Sequence, residues 1–256
     1  MDLNKTVSFE NGSLLQNGFF LFSDFFSSAE LENIRNILLD ANLKWKSRFP
    51  DKNSINSAYL TSPDFCSEER NRLSVFRFIS SNKIAELAKS IIQERAYFLN
   101  TQLFFNPKSP DKKNYWHRDL QYLGVSEEEQ KNILRSAKVF HFRIPFYPDP
   151  GLEFIPGSHT RWDNEEEYEV RMERNGRKNY EDLPGSVLVP QNPGDLLVFS
   201  AHLIHRGIYG QNRHSLDILY TNFPDKKSNS KMFRQFPEES ILSKLENPEI
   251  FEQVEE

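Results

Sequence analysis

The spacing of apolar residues separates a helical first part of the chain from a strand-rich second part. Between Gly18 and Leu39, an aromatic run at Phe19–Phe22 is typical of a strand, and the apolar residues after it recur at helical spacing. The same helical spacing returns between Lys83 and Leu99. The polar stretch from Ala41 to Glu69 is broken by two prolines and predicts a long irregular connection between the two helices.

From Leu99 onward, short apolar or alternating runs are separated by turns rich in proline and glycine, one of them at Pro148–Gly151. Short strands at such spacing are typical of an antiparallel sandwich or barrel. The predicted strands are Thr101–Phe105, Tyr115–Tyr122, Lys138–Phe146, Leu152–Ile155, Ser186–Val189, Asp195–Ser200, His205–Tyr209 and Leu216–Asn222, with a short helix or turn at Glu127–Leu134. We therefore expect a mainly β fold with flanking helices (α+β), built on a double-stranded β-helix of the jelly-roll, cupin-like type.

We predict a single domain that spans residues 1–256. Its parts are a helical N-terminal support at 1–99, a jelly-roll core at 100–224 and a polar C-terminal tail at 225–256 with a weak helical pattern. A highly charged insertion at 160–185 interrupts the core, and it could be either a lid over a pocket or a solvated surface helix. The sequence contains no internal repeat and no low-complexity segment.

Composition narrows the class of function. A net charge of -5 and an isoelectric point near 5.8 argue against a nucleic-acid partner, because nucleic-acid-binding surfaces are usually basic. No apolar run is long enough to cross a membrane, and Met1–Phe9 lacks the basic-then-apolar order of a secretory signal. The single cysteine, Cys66, excludes an internal disulfide framework. We expect a soluble cytoplasmic protein with a small-molecule substrate, and the sequence leaves its oligomeric state open.

Three residues form a candidate metal site. His117 and Asp119 are two positions apart, so in an extended strand their side chains project from the same face. A second histidine from a distant strand would complete a set of two imidazoles and one carboxylate, the usual arrangement around non-haem Fe(II). His202 and His205 both follow a predicted strand, and His205 is the better candidate because Arg213 follows it at a useful distance.

The triplet His117-Arg118-Asp119 also occurs in the catalytic loop of protein kinases. That loop requires an asparagine five residues after its aspartate, where this chain has Gly124. The sequence has neither a glycine-rich phosphate loop nor an Asp-Phe-Gly motif. These differences argue against a kinase.

Arg213 and Ser215 form a candidate site for a carboxylate. They are two positions apart in a strand-like run and share a face, whereas His214 between them should point away. A guanidinium can hold a carboxylate through two parallel hydrogen bonds, and a nearby hydroxyl adds a third donor. The pair suits the far carboxylate of a dicarboxylic co-substrate whose other end chelates the metal.

Taken together, these motifs resemble the phytanoyl-CoA dioxygenase-like family of Fe(II)- and 2-oxoglutarate-dependent oxygenases. The resemblance covers the chain from about Gly18 to Asn222 and begins with Gly18-Phe19 and Asp24-Phe25-Phe26 before an amphipathic helix. The other matching motifs, in the order seen in the family, are His117-Arg118-Asp119, Pro156-Gly157-Ser158-His159, Pro193-Gly194-Asp195, His205-Arg206-Gly207 and Arg213.

The resemblance assigns a role to each matching residue. It implies that His117, Asp119 and His205 bind iron and that Arg213 binds the distal carboxylate of 2-oxoglutarate. Such an enzyme uses O2 to oxidise, most simply to hydroxylate, an unactivated C–H bond of a metabolite or lipid-like substrate, and it releases succinate and carbon dioxide. Related halogenases carry a small residue where this chain has Asp119, so the aspartate favours oxidation over halogenation.

Five further positions are weaker candidates. Gln102 matches a position that contacts 2-oxoglutarate in some relatives, and Asn106 stands where many members carry lysine, so both are candidate co-substrate contacts. His141 and Arg143 share one face of their predicted strand and are candidate pocket residues. Trp116, beside the metal motif, is a third candidate for the pocket and an alternative candidate for the core.

Two other functions stay open from the sequence. The chain could be a non-catalytic jelly-roll binding module, although the retained candidate ligands and Arg213 argue against it. It could also be a metal-dependent cupin enzyme that does not use 2-oxoglutarate, such as an isomerase. Titrating 2-oxoglutarate into the anaerobic Fe(II) protein separates these cases, because bidentate chelation gives a visible charge-transfer band.

Overall fold

The computed structural model describes residues 13–210, 212–226 and 235–254. Within these residues, no helix combines the length and the apolar character needed to cross a bilayer. The prediction made for Met1–Phe9 lies outside the described residues.

Most of the helical residues precede the main strands in the chain. The helices are α1 Ser28–Arg48, α2 Glu69–Ile79, α3 Asn82–Ile92, α4 Glu127–Ser136, α5 Glu165–Arg171 and α6 Glu239–Leu242, and 3₁₀ turns occur at Asp119–Tyr122, Ser158–Thr160 and Pro248–Phe251. Helix α1 starts in a capping box, in which the side chains of Ser27 and Glu30 each accept a hydrogen bond from the backbone amide of the other. Helix α5 starts with the same arrangement between Asn164 and Glu167.

Two antiparallel sheets form the centre of the fold. The strands are β1 Phe19–Phe22, β2 Asn56–Ala58, β3 Tyr97–Phe105, β4 Val139–Pro145, β5 Asp149–Phe154, β6 Val187–Gln191, β7 Leu196–Ser200, β8 His205–Gly207, β9 His214–Thr221, β10 Asp225–Lys226 and β11 Gln253–Val254. The large sheet has the order β1-β7-β4-β9-β3-β2 and the small sheet the order β6-β5-β8. Strands β10 and β11 form a separate parallel pair.

Among the described residues, apolar side chains form three clusters, and two of them join these layers. The larger cluster packs the helices against the large sheet and includes the fully buried Phe98 and Tyr220. Tyr220 donates its hydroxyl hydrogen to the carbonyl of Ile79 at 2.7 Å, so its polar atom is satisfied inside the core. The second cluster joins the two sheets, and the rings of Phe154 and Phe199 in it have centroids 5.3 Å apart.

This arrangement confirms the predicted mainly β fold with flanking helices. Two antiparallel sheets joined by a shared apolar layer form the double-stranded β-helix, or jelly roll. From the segment predicted as a polar tail, Ile241, Ile250 and Phe251 are buried in the larger cluster. The division of the chain into support, core, insertion and tail stays a prediction.

The strand predicted at Tyr115–Tyr122 is wrong. Only His117 in this segment pairs with another strand, through an isolated antiparallel bridge to His205. The amide of Asp119 then bonds to the carbonyl of Ala201 at 3.3 Å, and a 3₁₀ turn begins at Asp119. The extended conformation of this segment therefore ends between His117 and Asp119, because no residue after His117 pairs with another strand.

The helix predicted at Lys83–Leu99 is too long. It begins at Asn82 and ends at Ile92, and Gln93 after it adopts the left-handed conformation with φ of 59°. The residues from Tyr97 onward pair with β9 as part of β3. Apolar spacing could not show this end, because glycine, the usual left-handed residue after a helix, is absent there.

Two segments expected to be irregular carry regular structure. In the stretch 41–69, α1 continues to Arg48 and Asn56–Ala58 pairs with β3. The turn predicted at Pro148–Gly151 merges into β5, which begins at Asp149 and contains a register shift before Leu152. Proline and glycine in that run produce an irregular strand start, not a complete turn.

Candidate active site

The loop that carries His117 and Asp119 is held in place by the side chain between them. Arg118 is fully buried and forms an ion pair with the buried Asp163, with 2.7 Å between Nε and Oδ1. Its terminal nitrogens donate to three backbone carbonyls, those of Ser158, Arg161 and His202. These charge-assisted contacts fix the loop against two other segments of the fold.

The charged stretch at 160–185 supplies the carboxylate partner of Arg118. The second oxygen of Asp163 lies 2.7 Å from Nη2 of Arg171 in α5, and both side chains are buried. This part of the stretch is therefore packed against the loop of the candidate site, and the expectation of a solvated surface helix does not hold for it.

Removing Asp163 is expected to destabilise the fold. We expect Asp163→Ala to lower the free energy of unfolding by about 3–5 kcal/mol, because two buried guanidiniums, those of Arg118 and Arg171, lose their charged partner. Urea unfolding followed by circular dichroism measures the change. The control is Glu68→Ala, which breaks an exposed pair with Arg70 and should change stability by less than about 1 kcal/mol. Equal effects of the two variants would contradict the role given to the buried pair.

Backbone pairing brings the two candidate histidine ligands together. The amide of His117 donates to the carbonyl of His205 at 3.0 Å, and the amide of His205 donates to the carbonyl of His117 at 2.9 Å. The centroids of the two imidazole rings are 4.2 Å apart. Residues 88 positions apart in the chain are thus placed side by side by one pair of backbone hydrogen bonds.

Three donor atoms converge on one point. Nε2 of His117 lies 3.6 Å, and Nε2 of His205 lies 3.8 Å, from the same oxygen of Asp119, Oδ1. Bonds from a metal ion to nitrogen and oxygen ligands are about 2.0–2.2 Å long, so two donors of one ion are at most about 4.4 Å apart. Both distances therefore fit a shared metal ion. We call the position between these three donor atoms the metal point.

Backbone carbonyls set the tautomer of both histidines. Nδ1 of His117 lies 3.2 Å from the carbonyl oxygen of Tyr115, and Nδ1 of His205 lies 3.0 Å from that of Leu203. Because a carbonyl oxygen only accepts, each Nδ1 carries the hydrogen and each Nε2 directs its lone pair towards Asp119. Burial lowers the pKa of His117, and burial together with the nearby His117 lowers the pKa of His205 to about 3. Both rings are neutral at pH 7, which is the metal-binding form.

Asp119 directs one oxygen to the shared point and uses the other elsewhere. Its Oδ2 accepts a hydrogen bond from Nε2 of His141 at 2.8 Å. Burial alone would raise the pKa of the Asp119 carboxyl, but the hydrogen bond and charge of His141 and the charge of His205 hold it well below its usual value. The carboxylate is therefore ionised at pH 7 and available to a cation.

His141 and Arg143, two of the predicted pocket residues, belong to a chain of ionic contacts. This ionic chain runs from Asp119 through His141, Asp217 and Arg143 to Asp149. Nδ1 of His141 and Nη1 of Arg143 each lie 2.9 Å from a different oxygen of Asp217. Arg143 also donates through Nη2 to Asp149 at 3.0 Å, and the hydroxyl of Ser215 donates to the same oxygen. Burial alone would lower the pKa of His141, but its hydrogen bonds with carboxylates on both sides raise it to about 9.

Arg213 is buried and donates no hydrogen bond to another described residue. It is 2% exposed, and its Nε lies 3.5 Å from Asp149 without forming a hydrogen bond. Burial and the neighbouring charge of Arg143 lower the pKa of Arg213 to about 10, so it is still charged at pH 7. Burying a charge with so few partners is costly, which makes this guanidinium a strong candidate site for an external anion.

Ser215 and Gln102, two predicted co-substrate contacts, lie beside members of the ionic chain. Ser215 follows Arg213 by two positions in the chain, and its hydroxyl is engaged by Asp149. Gln102 on β3 is in register with Asp217 on β9 and is partly buried. Their contact with a co-substrate stays a prediction.

Two other predicted site residues have structural contacts. Asn106 accepts from the amide of Gly210 at 3.1 Å and donates to the carbonyl of the same residue, so both its polar atoms are engaged. Trp116 is fully buried, and its indole N–H donates to the carbonyl of Glu181 at 2.8 Å. Asn106 therefore supports the loop before Arg213, and Trp116 packs in a separate apolar cluster with Ile155, Val170, Leu183 and Ile204.

The remaining histidines do not contribute to the three-donor cluster. Nδ1 of His214 lies 3.3 Å from the carbonyl of Asn212, on the side of β9 away from Arg213 and Ser215, as predicted. His202 is buried, and burial lowers its pKa to about 4.

Sequence reasoning missed two carboxylates of the ionic chain. Asp217 follows Ser215 by two positions on the same strand face, so the alternation that links Arg213 with Ser215 could have been extended to it. Asp149 lies in a Pro-Asp-Pro-Gly run that indicates a turn, and nothing in the sequence connects it with Arg143.

The chain is similar to known proteins both in sequence pattern and in fold. The profile of the phytanoyl-CoA dioxygenase (PhyH) family matches residues 14–213. Comparison with curated protein sequences gives no significant match.

Several solved structures share the fold. AviO1 from Streptomyces viridochromogenes Tue57 superposes with a TM-score of 0.55 at 18% identity, covering 83% of this chain and 93% of that one. EctD from S. alaskensis gives 0.56 at 16% identity, covering 86% and 76%. SnoN, a non-haem α-ketoglutarate-dependent epimerase from nogalamycin biosynthesis, gives 0.57 at 13% identity, covering 85% and 83%. Identities this low show a shared fold and no more.

Proposed function

Because this chain belongs to the phytanoyl-CoA dioxygenase family of iron(II)- and 2-oxoglutarate-dependent oxygenases, we propose that it hydroxylates an unactivated C–H bond of a small-molecule metabolite or lipid-like substrate. His117, Asp119 and His205 are the proposed ligands of iron(II), and Arg213 is the proposed anchor for 2-oxoglutarate. When bound, iron and 2-oxoglutarate supply the activation of O2 and the oxidising power, and the co-substrate leaves as succinate and carbon dioxide.

The donor set is the observation that carries the proposal. Two neutral imidazoles and one ionised carboxylate direct lone pairs to a common point, and this set is the one preferred by non-haem Fe(II) that must also bind other ligands. Two proteins with the same fold have been solved with such groups, SnoN with Fe3+ and α-ketoglutarate and EctD with iron and with 2-oxoglutarate. The role of the chain is to hold these groups and to orient the substrate.

Arg213 supports a dicarboxylic co-substrate. Its guanidinium is buried and its Nε forms no hydrogen bond, and a carboxylate bound in the forked geometry would satisfy its donors. The rings of Phe104 and Tyr209 lie 5.9 Å from the guanidinium carbon and shield it from solvent. The anchor is thus specific for a group that brings its own negative charge.

The approach to the metal site suits a small organic substrate. The rings of Tyr115 and Tyr122 have centroids 5.2 and 5.7 Å from that of His117, and Tyr122 is 58% exposed. Aromatic walls next to the metal point favour a substrate with an apolar carbon skeleton.

The proposal is tested by anaerobic titration followed by a metabolite screen. The Fe(II) protein should develop a visible charge-transfer band that saturates with 2-oxoglutarate, and O2 should then release succinate faster in the presence of a substrate. The product should be heavier than the substrate by one oxygen atom. A product lighter by two hydrogen atoms would replace hydroxylation by desaturation or cyclisation, and a product of unchanged mass would replace it by an epimerisation. Iron binding without the band would indicate a different metal enzyme, and binding of neither would indicate a non-catalytic module.

Gly207 allows the close approach of Arg213, so enlarging it should weaken the anchor. A Cβ at this position would overlap Nη2 of Arg213. We expect Gly207→Ala to raise the 2-oxoglutarate concentration for half-maximal band formation about tenfold, since overpacking costs about 1–3 kcal/mol and about 1.4 kcal/mol is tenfold in affinity. Iron affinity, measured on the same samples, should not change. An unaltered 2-oxoglutarate titration would contradict the placement of the anchor.

A further inference from the structure

A continuous run of buried polar contacts leads from the metal point into the large sheet. His141 joins the carboxylates of Asp119 and Asp217 at 2.8 and 2.9 Å, and Arg143 continues from Asp217 to Asp149 at 2.9 and 3.0 Å. The side chains of His141, Arg143, Asp149 and Asp217 are 3%, 1%, 0% and 0% exposed. The contacts from His141 to Asp149 are therefore shielded from water, whereas Asp119 at the metal end is 31% exposed.

Packing alone does not explain these buried ionic contacts. The opposite faces of β4 and β9 present Phe142, Ile144, Leu216 and Ile218, which are buried in the apolar core. Replacing buried ionic groups by apolar ones of similar size is often neutral or stabilising. The ionic side chains on the face towards the metal point are therefore better explained by the positioning of a metal ligand than by a gain in stability.

The contact between His141 and Asp119 decides which oxygen of the carboxylate is free. Nε2 of His141 donates to Oδ2, whereas Oδ1 faces Nε2 of His117 and Nε2 of His205. With Oδ2 engaged, Asp119 has one oxygen, Oδ1, left to bind a cation. A carboxylate that binds through one oxygen leaves one more coordination position for other ligands than a bidentate one.

We propose that His141 is a positioning residue that keeps Asp119 a one-oxygen metal ligand, and that the buried Asp217 and Arg143 hold His141 in this orientation. The inference rests on the metal site of the proposed function and adds residues that touch neither the metal point nor Arg213. Histidine suits the task because its two ring nitrogens face opposite directions, one towards each carboxylate, at 2.8 and 2.9 Å. Groups that orient a metal ligand in this way typically change metal affinity about 10–100-fold when they are removed.

The test uses Co(II), which binds nitrogen and oxygen sites at least as tightly as Fe(II) and has a visible spectrum that reports coordination. It needs neither 2-oxoglutarate nor turnover. We expect His141→Leu to weaken Co(II) binding about 10–100-fold and to alter the spectrum of the bound ion. His141→Gln keeps an N–H donor within reach of Asp119 and should restore most of the affinity and the parent spectrum.

A second variant and a matched control keep the test decisive. Asp217→Asn removes the charge behind His141 without touching the metal point, and it should weaken Co(II) binding in the same direction by a smaller factor. Asn42→Leu removes a buried hydrogen bond to Ser57, 2.9 Å long and remote from the metal point, and it should leave Co(II) affinity unchanged.

Parent affinity and spectrum in both His141→Leu and Asp217→Asn would overturn the positioning role. Failure of the parent protein to bind Co(II) would overturn the proposed function as well, so the two failures are distinguishable.

Discussion

With Arg213 replaced by methionine, the concentration of 2-oxoglutarate that gives half-maximal succinate formation is expected to rise by a factor of about 30 to about 4,000. Truncating one partner of a buried, hydrogen-bonded charge pair costs about 2–5 kcal/mol, and about 1.4 kcal/mol corresponds to tenfold in affinity. Arg213 is 2% exposed and its Nε, 3.5 Å from Asp149, forms no hydrogen bond, so the carboxylate of the co-substrate would be its main hydrogen-bonding partner. Methionine fills part of the same buried space without a charge.

Two further variants show whether a loss of 2-oxoglutarate affinity comes from the forked geometry of Arg213 or from the loss of any arginine. Arg213→Lys keeps the charge but loses the two-pronged geometry, so an intermediate loss of 2-oxoglutarate affinity is expected. Arg70→Met removes an exposed arginine and should leave the half-saturating concentration unchanged. Asp149 keeps its bonds to Arg143 and to the amide of Gly151 when Arg213 is replaced, so the fold should persist. An Arg213→Met protein with parent affinity for 2-oxoglutarate would show that the co-substrate is held elsewhere.

The overall fold could be predicted because strand alternation and Pro-Gly turns are local signals. The predictions failed where the deciding contact is distant in sequence. The segment at 115–122 looks like a strand from its own residues, but its pairing ends at His117 because the bridge to His205 is isolated. The end of α3 at Ile92 is set by a left-handed Gln93, a residue that carries no clear signal for that conformation.

The candidate site shows the same division between local and distant information. His117, Asp119 and His205 converge although the strand that was expected to carry the first two is absent, since a single backbone bridge is enough to align them. The carboxylates that support the site were harder to find. Asp217 could have been found from strand alternation, whereas Asp149 is assigned to the site only by its contact with Arg143.

His117→Ala tests the metal point with little disturbance of the fold. The bridge to His205 uses only backbone atoms of His117, so it can form equally well with alanine at this position. Removing one of three ligands should lower metal affinity by more than the loss of a group that merely orients a ligand, that is by more than about 100-fold. Succinate formation that depends on Fe(II) should accordingly fall below detection at iron concentrations that saturate the parent protein.

The matched control for this loss is His214→Ala, which removes an imidazole on the outer side of β9. It should leave metal affinity and succinate formation near the parent values, because that ring faces a backbone carbonyl and not the three-donor point. Equilibrium dialysis of Fe(II) under anaerobic conditions, with unfolding curves of both variants, separates lost binding from lost folding. If His117→Ala stays folded and still binds iron with parent affinity, the metal lies elsewhere, and the convergence of His117, Asp119 and His205 would have to be explained by packing alone.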